Sequence, residues 1–185
     1  MKKTVLTFGL IGGAVIAVLT LVTLPFAHKI GFDKSLVVGY TVMVLSFLMV
    51  FFGIRSYRDN IGGGTISFGR AFAVGALIVL IISACYVVNW EIIYFEFMPN
   101  FVNDYSNYVV EKMKAAGATQ PAIEAKLQEM KQLKEILDNP FKNAAFSFIE
   151  PLPVGLIITL ISSLILKKRG KGPSSSNEPA QQMAA

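Results

Sequence analysis

The sequence predicts an all-α protein, a four-helix transmembrane bundle with an extracytoplasmic amphipathic helical hairpin between its third and fourth spans. Three observations predict it. Hydrophobic residues make up 54% of the chain against 16% charged, and mean hydropathy is +0.56. The apolar residues gather into long runs with almost no charge. Lys and Arg collect at the ends of those runs. Hydrocarbon offers a peptide group no hydrogen-bond partner, so each run must satisfy its own backbone as a helix.

The first run extends from Thr4 to Ala27 behind Met1-Lys2-Lys3. A cleaved signal peptide also starts with positive charge, but its apolar core is about 7–15 residues and ends in a small-x-small site. This run is longer and ends Leu24-Pro25-Phe26-Ala27-His28, so a retained span over 4–27 is expected. The second span covers 35–54. Only His28 to Lys34 separate the two, with Gly31 to reverse the chain, which makes them an antiparallel pair. The third span covers 71–95 and is apolar as far as Trp90, where Glu91 interrupts it. The fourth covers 144–166 and holds one charge, Glu150. At about 1.5 Å per residue each run crosses roughly 30 Å, the thickness of a bilayer core. The integral membrane domain is therefore 1–169.

Orientation follows from the basic residues. Four spans put Lys2, Lys3, Arg55, Arg58, Arg70, Lys167, Lys168, Arg169 and Lys171 on one side, close to helix ends and nearly unopposed by acids. That side is expected to be cytoplasmic. The chain is accordingly read as a multi-pass protein of the bacterial cytoplasmic (inner) membrane with both termini inside. The net charge of +5 reflects this topology signal. The basic residues form no stripe on a soluble face, so no nucleic-acid partner is expected. Cys85 and His28 are single residues of their kinds, which rules out an intrachain disulfide and a His/Cys metal site, and no cofactor is expected.

Residues 96–143 are too polar to span. One helix is expected over about Phe101 to Ala116, with Tyr105, Tyr108, Val109, Lys112 and Met113 along one side and Gly117 as its stop. A second opens at Thr119-Gln120-Pro121, carries Ile123, Leu127, Met130, Leu133 and Leu137 at helical spacing, and stops at Asn139-Pro140. Such a hairpin either packs on itself and the bilayer surface or presents a docking face; amphipathicity alone leaves both open. The tail, 170–185, is rich in Gly, Pro and Ser and is expected to be disordered and cytoplasmic.

Charges inside spans are costly, roughly 2.5–3.5 kcal/mol for an acid at a helix centre, so Glu91 and Glu150 come first as functional candidates. Counting residues along their helices places both in the outer leaflet, level with His28 and Lys29. Asn89, Glu91, Glu150, His28 and Lys29 thus form a candidate intramembrane polar cluster able to take a cation, a proton or a polar head group. The competing reading has both acids snorkelling to the interface. Pro151 and Pro153 either kink the span beside Glu150 or occupy a helix first turn, where no donor is lost. Tyr86, Trp90, Tyr94 and Phe97 read as an aromatic belt. Gly9, Gly13 and Ala17, and Gly155, Thr159 and Ser163, form small-residue ladders for close helix packing, within one chain or between chains.

The loop holding Arg55, Arg58, Asp59, Asn60 and Arg70 is a candidate contact for lipid head groups or a partner. Its Gly62-Gly63-Gly64 is no phosphate loop, since no Gly-Lys-Ser/Thr follows. An Asp59–Arg pair and turn glycines account for the same residues structurally. No nucleophile–base pair or cofactor motif stands out, so a non-catalytic envelope protein binding a partner or lipid is expected. The alternative is a small oligomeric transporter or channel using Glu91 and Glu150. Expected partners are the lipid bilayer and either another protein or a second copy of the chain.

Three stretches carry a resemblance. They are Phe51 to Asn60 with the glycines and Ile66-Ser67-Phe68-Gly69-Arg70-Ala71-Phe72 that follow, Tyr94 to Phe101, and Glu150 to Ile157. Together they resemble the bacterial membrane family called domain of unknown function 4199, over nearly the whole chain up to about Lys168. The resemblance implies a multi-pass membrane protein and supplies no activity or site residue.

Overall fold

The computed structural model describes residues 1–26 and 31–168. His28, Lys29 and the tail 170–185 lie outside that range. Among the described residues the chain is helical throughout, apart from turns and one isolated antiparallel bridge. Four helical segments are long and apolar enough to cross a membrane: Lys2–Phe26, Phe32–Asn60, Phe68–Phe97 and Pro140–Leu166.

The first is α1 (Lys2–Thr23), prolonged by a short 3-10 turn, Leu24–Phe26. The second, α2 (Phe32–Asn60), runs more than one turn past the apolar stretch, where Arg55 and Asp59 pair one turn apart. The third, α3 (Phe68–Ile92), is capped by the Ser67 hydroxyl, which accepts from the Arg70 amide. It ends in a π-helical turn, Ile93–Phe97, closed by the Met98 amide donating to the Ile93 carbonyl at 2.9 Å. Two shorter helices follow, α4 (Phe101–Ala115) and α5 (Gln120–Leu137). Gly117, at φ +74, makes the turn between them. The fourth span is broken into α6 (Pro140–Ile149) and α7 (Leu152–Leu166). Pro151 and Pro153 bring no amide proton to the carbonyls of Ser147 and Ile149, so the helical ladder is interrupted there. Both readings of the prolines therefore hold in part: the span is broken at Glu150, and Pro153 sits in the first turn of α7.

α2 and α3 are the central pair. α1 packs into the groove on one side of them and α7 into the groove on the other, while α6 leans on α3 and α5. Phe47, Val50 and Ile54 of α2 meet Val74, Ile78, Val79 and Ile82 of α3 at the centre, all fully buried. The helices approach closely enough to interlock. The glycines show how. A Cβ on Gly12 would lie 2.4 Å from Ile82 Cδ1, one on Gly75 2.6 Å from Thr159 Cγ2, and one on Gly155 2.6 Å from Val79 Cγ1. The small-residue ladders serve packing within the chain. Two buried hydroxyls are absorbed locally, Ser46 donating to the Val42 carbonyl and Thr159 to the Gly155 carbonyl, each at 2.8 Å, whereas Ser83 Oγ and Ser163 Oγ have no partner among the described residues.

Candidate functional site

Two ends of the bundle differ in chemistry. Helix direction puts Lys2, Lys3, Arg55, Arg58, Arg70, Lys167 and Lys168 at one end, with Asp59 as their acid. An antiparallel bridge closes that end, the amides of Ile66 and Lys168 each donating to the other's carbonyl at 3.0 Å. Gly63 and Gly64, at φ +58 and +80, bring the loop round to it. Asp59 takes Arg58 Nε at 2.7 Å and Arg55 Nε at 3.7 Å, and Asn60 donates to the Ser56 hydroxyl. The Asp59–Arg pair and turn glycines thus organise the loop. Arg70 has no ion-pair partner among the described residues and points its charge outward.

The other end carries α4 and α5, held to the bundle at two places. Tyr94, 2% exposed, forms a small core with Val102 and Leu137, flanked by Trp90, Phe101 and Leu133. Its hydroxyl donates to Asp138 Oδ1 at 2.8 Å, and Lys134 donates to Oδ2 of the same carboxylate at 2.6 Å. These donors, Lys134 first, hold the Asp138 carboxyl below its ordinary value of 3.8 against the opposing effect of burial. The second attachment is at the start of α2. Phe32 packs against Phe101, Tyr105 and Tyr108, with ring centroids 5.2–6.1 Å apart. Beside it, Asp33 Oδ2 accepts from both Tyr108 Oη and Lys112 Nζ at 2.7 Å. The hydrogen bond to Asp33 raises the Lys112 ammonium above its ordinary value of 10.5.

The aromatic belt is accordingly divided. Trp90 and Tyr94 are covered by the short helices, and Tyr86 turns to Glu150, which leaves Phe97 exposed for the interface. A phenol shielded from water needs a partner for its hydroxyl, and the buried Tyr94 and half-buried Tyr86 both donate to carboxylates. Periodicity alone could not distinguish a lipid-facing ring from one under a helical cover.

Of the candidate polar residues among those described, Asn89 and Glu91 are not brought together. Asn89 and Glu91 are two positions apart on one helix and so face opposite ways, at roughly 100° per residue. Asn89 shares its side with buried Ile78 and Ile82, and Glu91 shares the outward stripe with Leu80 and Phe95. Asn89 Nδ2 and Glu91 Oε1 are buried without a hydrogen-bond partner among the described residues. Glu150, at the break between α6 and α7, is exposed and accepts from Tyr86 Oη at 2.9 Å. The expected pairing with His28 or Lys29 falls outside the described residues. Tyr86 is the site residue that sequence reasoning missed. Its signal was depth: Tyr86 and Glu150 both lie about 24 Å from the inner ends of their helices, by 1.5 Å per residue.

The profile of a family described as "Protein of unknown function (DUF4199)" matches residues 7–168. The chain belongs to that family. No curated protein and no solved structure matches it. The matched range of this DUF4199 protein runs from within α1 to the Ile66–Lys168 bridge, so it takes in both ends of the bundle, α4, α5 and the break at Glu150.

Proposed function

We propose that this DUF4199 protein is a non-catalytic envelope protein of the bacterial cytoplasmic membrane. Both termini are cytoplasmic, α4 and α5 form an extracytoplasmic hairpin that binds a partner, and the arginine loop holds anionic lipid head groups. The attachment of the hairpin carries this reading. It is fixed to α3 through Tyr94–Asp138 and to α2 through Phe32 and Asp33, while Asp104, Glu111, Lys131 and Glu135 on its remaining surface are exposed without partners among the described residues. The separation of charge between the ends supports the orientation, because Lys and Arg near helix ends favour the cytoplasmic side. Arg70 and the neighbouring Lys167 and Lys168 suit phosphate-bearing head groups.

In vivo photo-crosslinking from positions 104 and 111 tests the hairpin's role. A discrete adduct is expected that disappears with Lys131→Glu and Glu135→Lys, at unchanged protein level. Adducts that persist through both reversals would remove the hairpin from the binding reading. The orientation is tested by fusing a reporter after Lys168, which should work as a cytoplasmic protein and fail as a periplasmic phosphatase.

A further inference from the structure

The break in the fourth span leaves a carboxylate facing lipid, and the helices around it leave room beside it. α7 packs on both α2 and α3, but above the break α6 stays with α3 and forms no packed face with α2. One side of the outer half of α2, bearing Leu36, Val37 and Tyr40, is consequently exposed. A groove of about 450 Å³ lies along it, lined by Leu36, Val37, Tyr40, Thr41, Val44 and Leu45. Tyr40 is two turns from Phe47, on the side of α2 that lower down meets Gly155 of α7, so it faces the gap that α6 has vacated. Gly155 lies about 8 Å along the span from Glu150 and Tyr40 about 10 Å along α2 from Phe47, at 1.5 Å per residue, so Tyr40 stands near the depth of Glu150, which accepts from Tyr86. An apolar groove thus leads, through Tyr40, to a carboxylate with one oxygen held by Tyr86.

We propose that this gap is a lateral site for a membrane lipid bearing a primary ammonium head group. The acyl chain lies in the α2 groove, and the ammonium donates to the Glu150 carboxylate beside Tyr86 and Tyr40. Charge complementarity selects the occupant. A carboxylate about 6 Å inside a 30 Å core is costly alone and is relieved by a cation that arrives already attached to an apolar chain. An ammonium with N–H donors can complete the carboxylate's hydrogen bonds, which a quaternary ammonium cannot. Anionic lipids are disfavoured here by the charge of Glu150 itself, in contrast to the arginine end. This site is independent of the hairpin reading.

The test compares head groups on identical acyl chains. Purified full-length protein is placed in nanodiscs of phosphatidylglycerol doped with equal trace amounts of phosphatidylethanolamine and phosphatidylcholine, and retained lipids are counted by native mass spectrometry. The wild type should retain the primary-ammonium lipid about tenfold over its trimethylated counterpart, the ratio worth one charge-assisted hydrogen bond. Glu150→Gln should bring that ratio near one, Tyr86→Phe should lower it part-way, and Glu91→Gln should leave it unchanged. Equal retention of both lipids by the wild type overturns the proposal without any variant. So does a preference that survives Glu150→Gln, or a dimer that Glu150→Gln dissolves with no change in retained lipid, which would make a second copy the occupant.

Discussion

If Tyr94 is the pin that holds the short helices to the bundle, removing its hydroxyl and removing its ring should have separable effects. Tyr94→Phe deletes the donor to Asp138 but keeps the ring among Trp90, Phe101, Val102 and Leu137. Asp138 keeps Lys134 at 2.6 Å and its side chain is 48% exposed, so water can replace the lost donor. The loss then falls at the low end for such a bond, about 1 kcal/mol. Tyr94→Ala also empties a site that is 2% exposed, and truncating a buried aromatic ring costs about 3–5 kcal/mol. Hydrogen exchange in nanodiscs reads these numbers as local opening. Amides in α5 should exchange roughly fivefold faster in Tyr94→Phe and at least a hundredfold faster in Tyr94→Ala, with the centre of α2 unchanged. Equal protection of α5 in Tyr94→Ala and wild type would refute the reasoning, since the attachment would then depend on the Phe32 cluster alone. A collapse of α2 protection in the same variant would show that the short helices are not a separable unit.

Further outcomes follow from the same contacts. Asp138 is held below its ordinary value, so its contribution is present above about pH 4 and is lost as pH falls through the lower folded value; α5 exchange should accelerate only in acid, somewhat less in Tyr94→Phe and least when Lys134, the larger cause, is replaced by Met. Lys112 is held above its ordinary value, so its contact with Asp33 persists through neutral pH and is lost as pH rises through the raised value; Lys112→Met should remove that alkaline loss of α4 protection. Gly75→Val should lower the thermal midpoint, because a Cβ there meets Thr159, Ile54 and Val50 on three sides, an overpacking worth about 1–3 kcal/mol or more. Gly39→Ala, in open space on the same bundle, should leave the midpoint unchanged or raise it by up to about 1 kcal/mol in stability. Arg70→Ala should lower retention of phosphatidylglycerol by the purified protein, most clearly at low salt; retention that ignores both the substitution and the salt would detach the arginine loop from lipid binding.

By itself the amino-acid sequence determined the number of membrane-capable helices, the polarity of their ends and the two short helices with their stops at Gly117 and Asn139-Pro140. Those features depend on local physics: a greasy run must coil, Gly admits a left-handed turn, and Pro denies a donor. Distance along a helix was legible for the same reason, since a helix advances by a fixed step. What faces what was decided by the tertiary structure. Glu150 is bonded to Tyr86, while Glu91 stands about 140° round the helix from Tyr86, because azimuth depends on which neighbour α3 packs against and on where α6 leaves α2. Trp90 and Tyr94 carry the pattern of a lipid belt but are covered by residues such as Val102 and Leu137, some of which lie more than 40 positions along the chain. Composition reports how far a residue stands from water; only the packed bundle chooses between lipid and protein as its neighbour, since to a hydrophobic side chain the two are almost equivalent solvents.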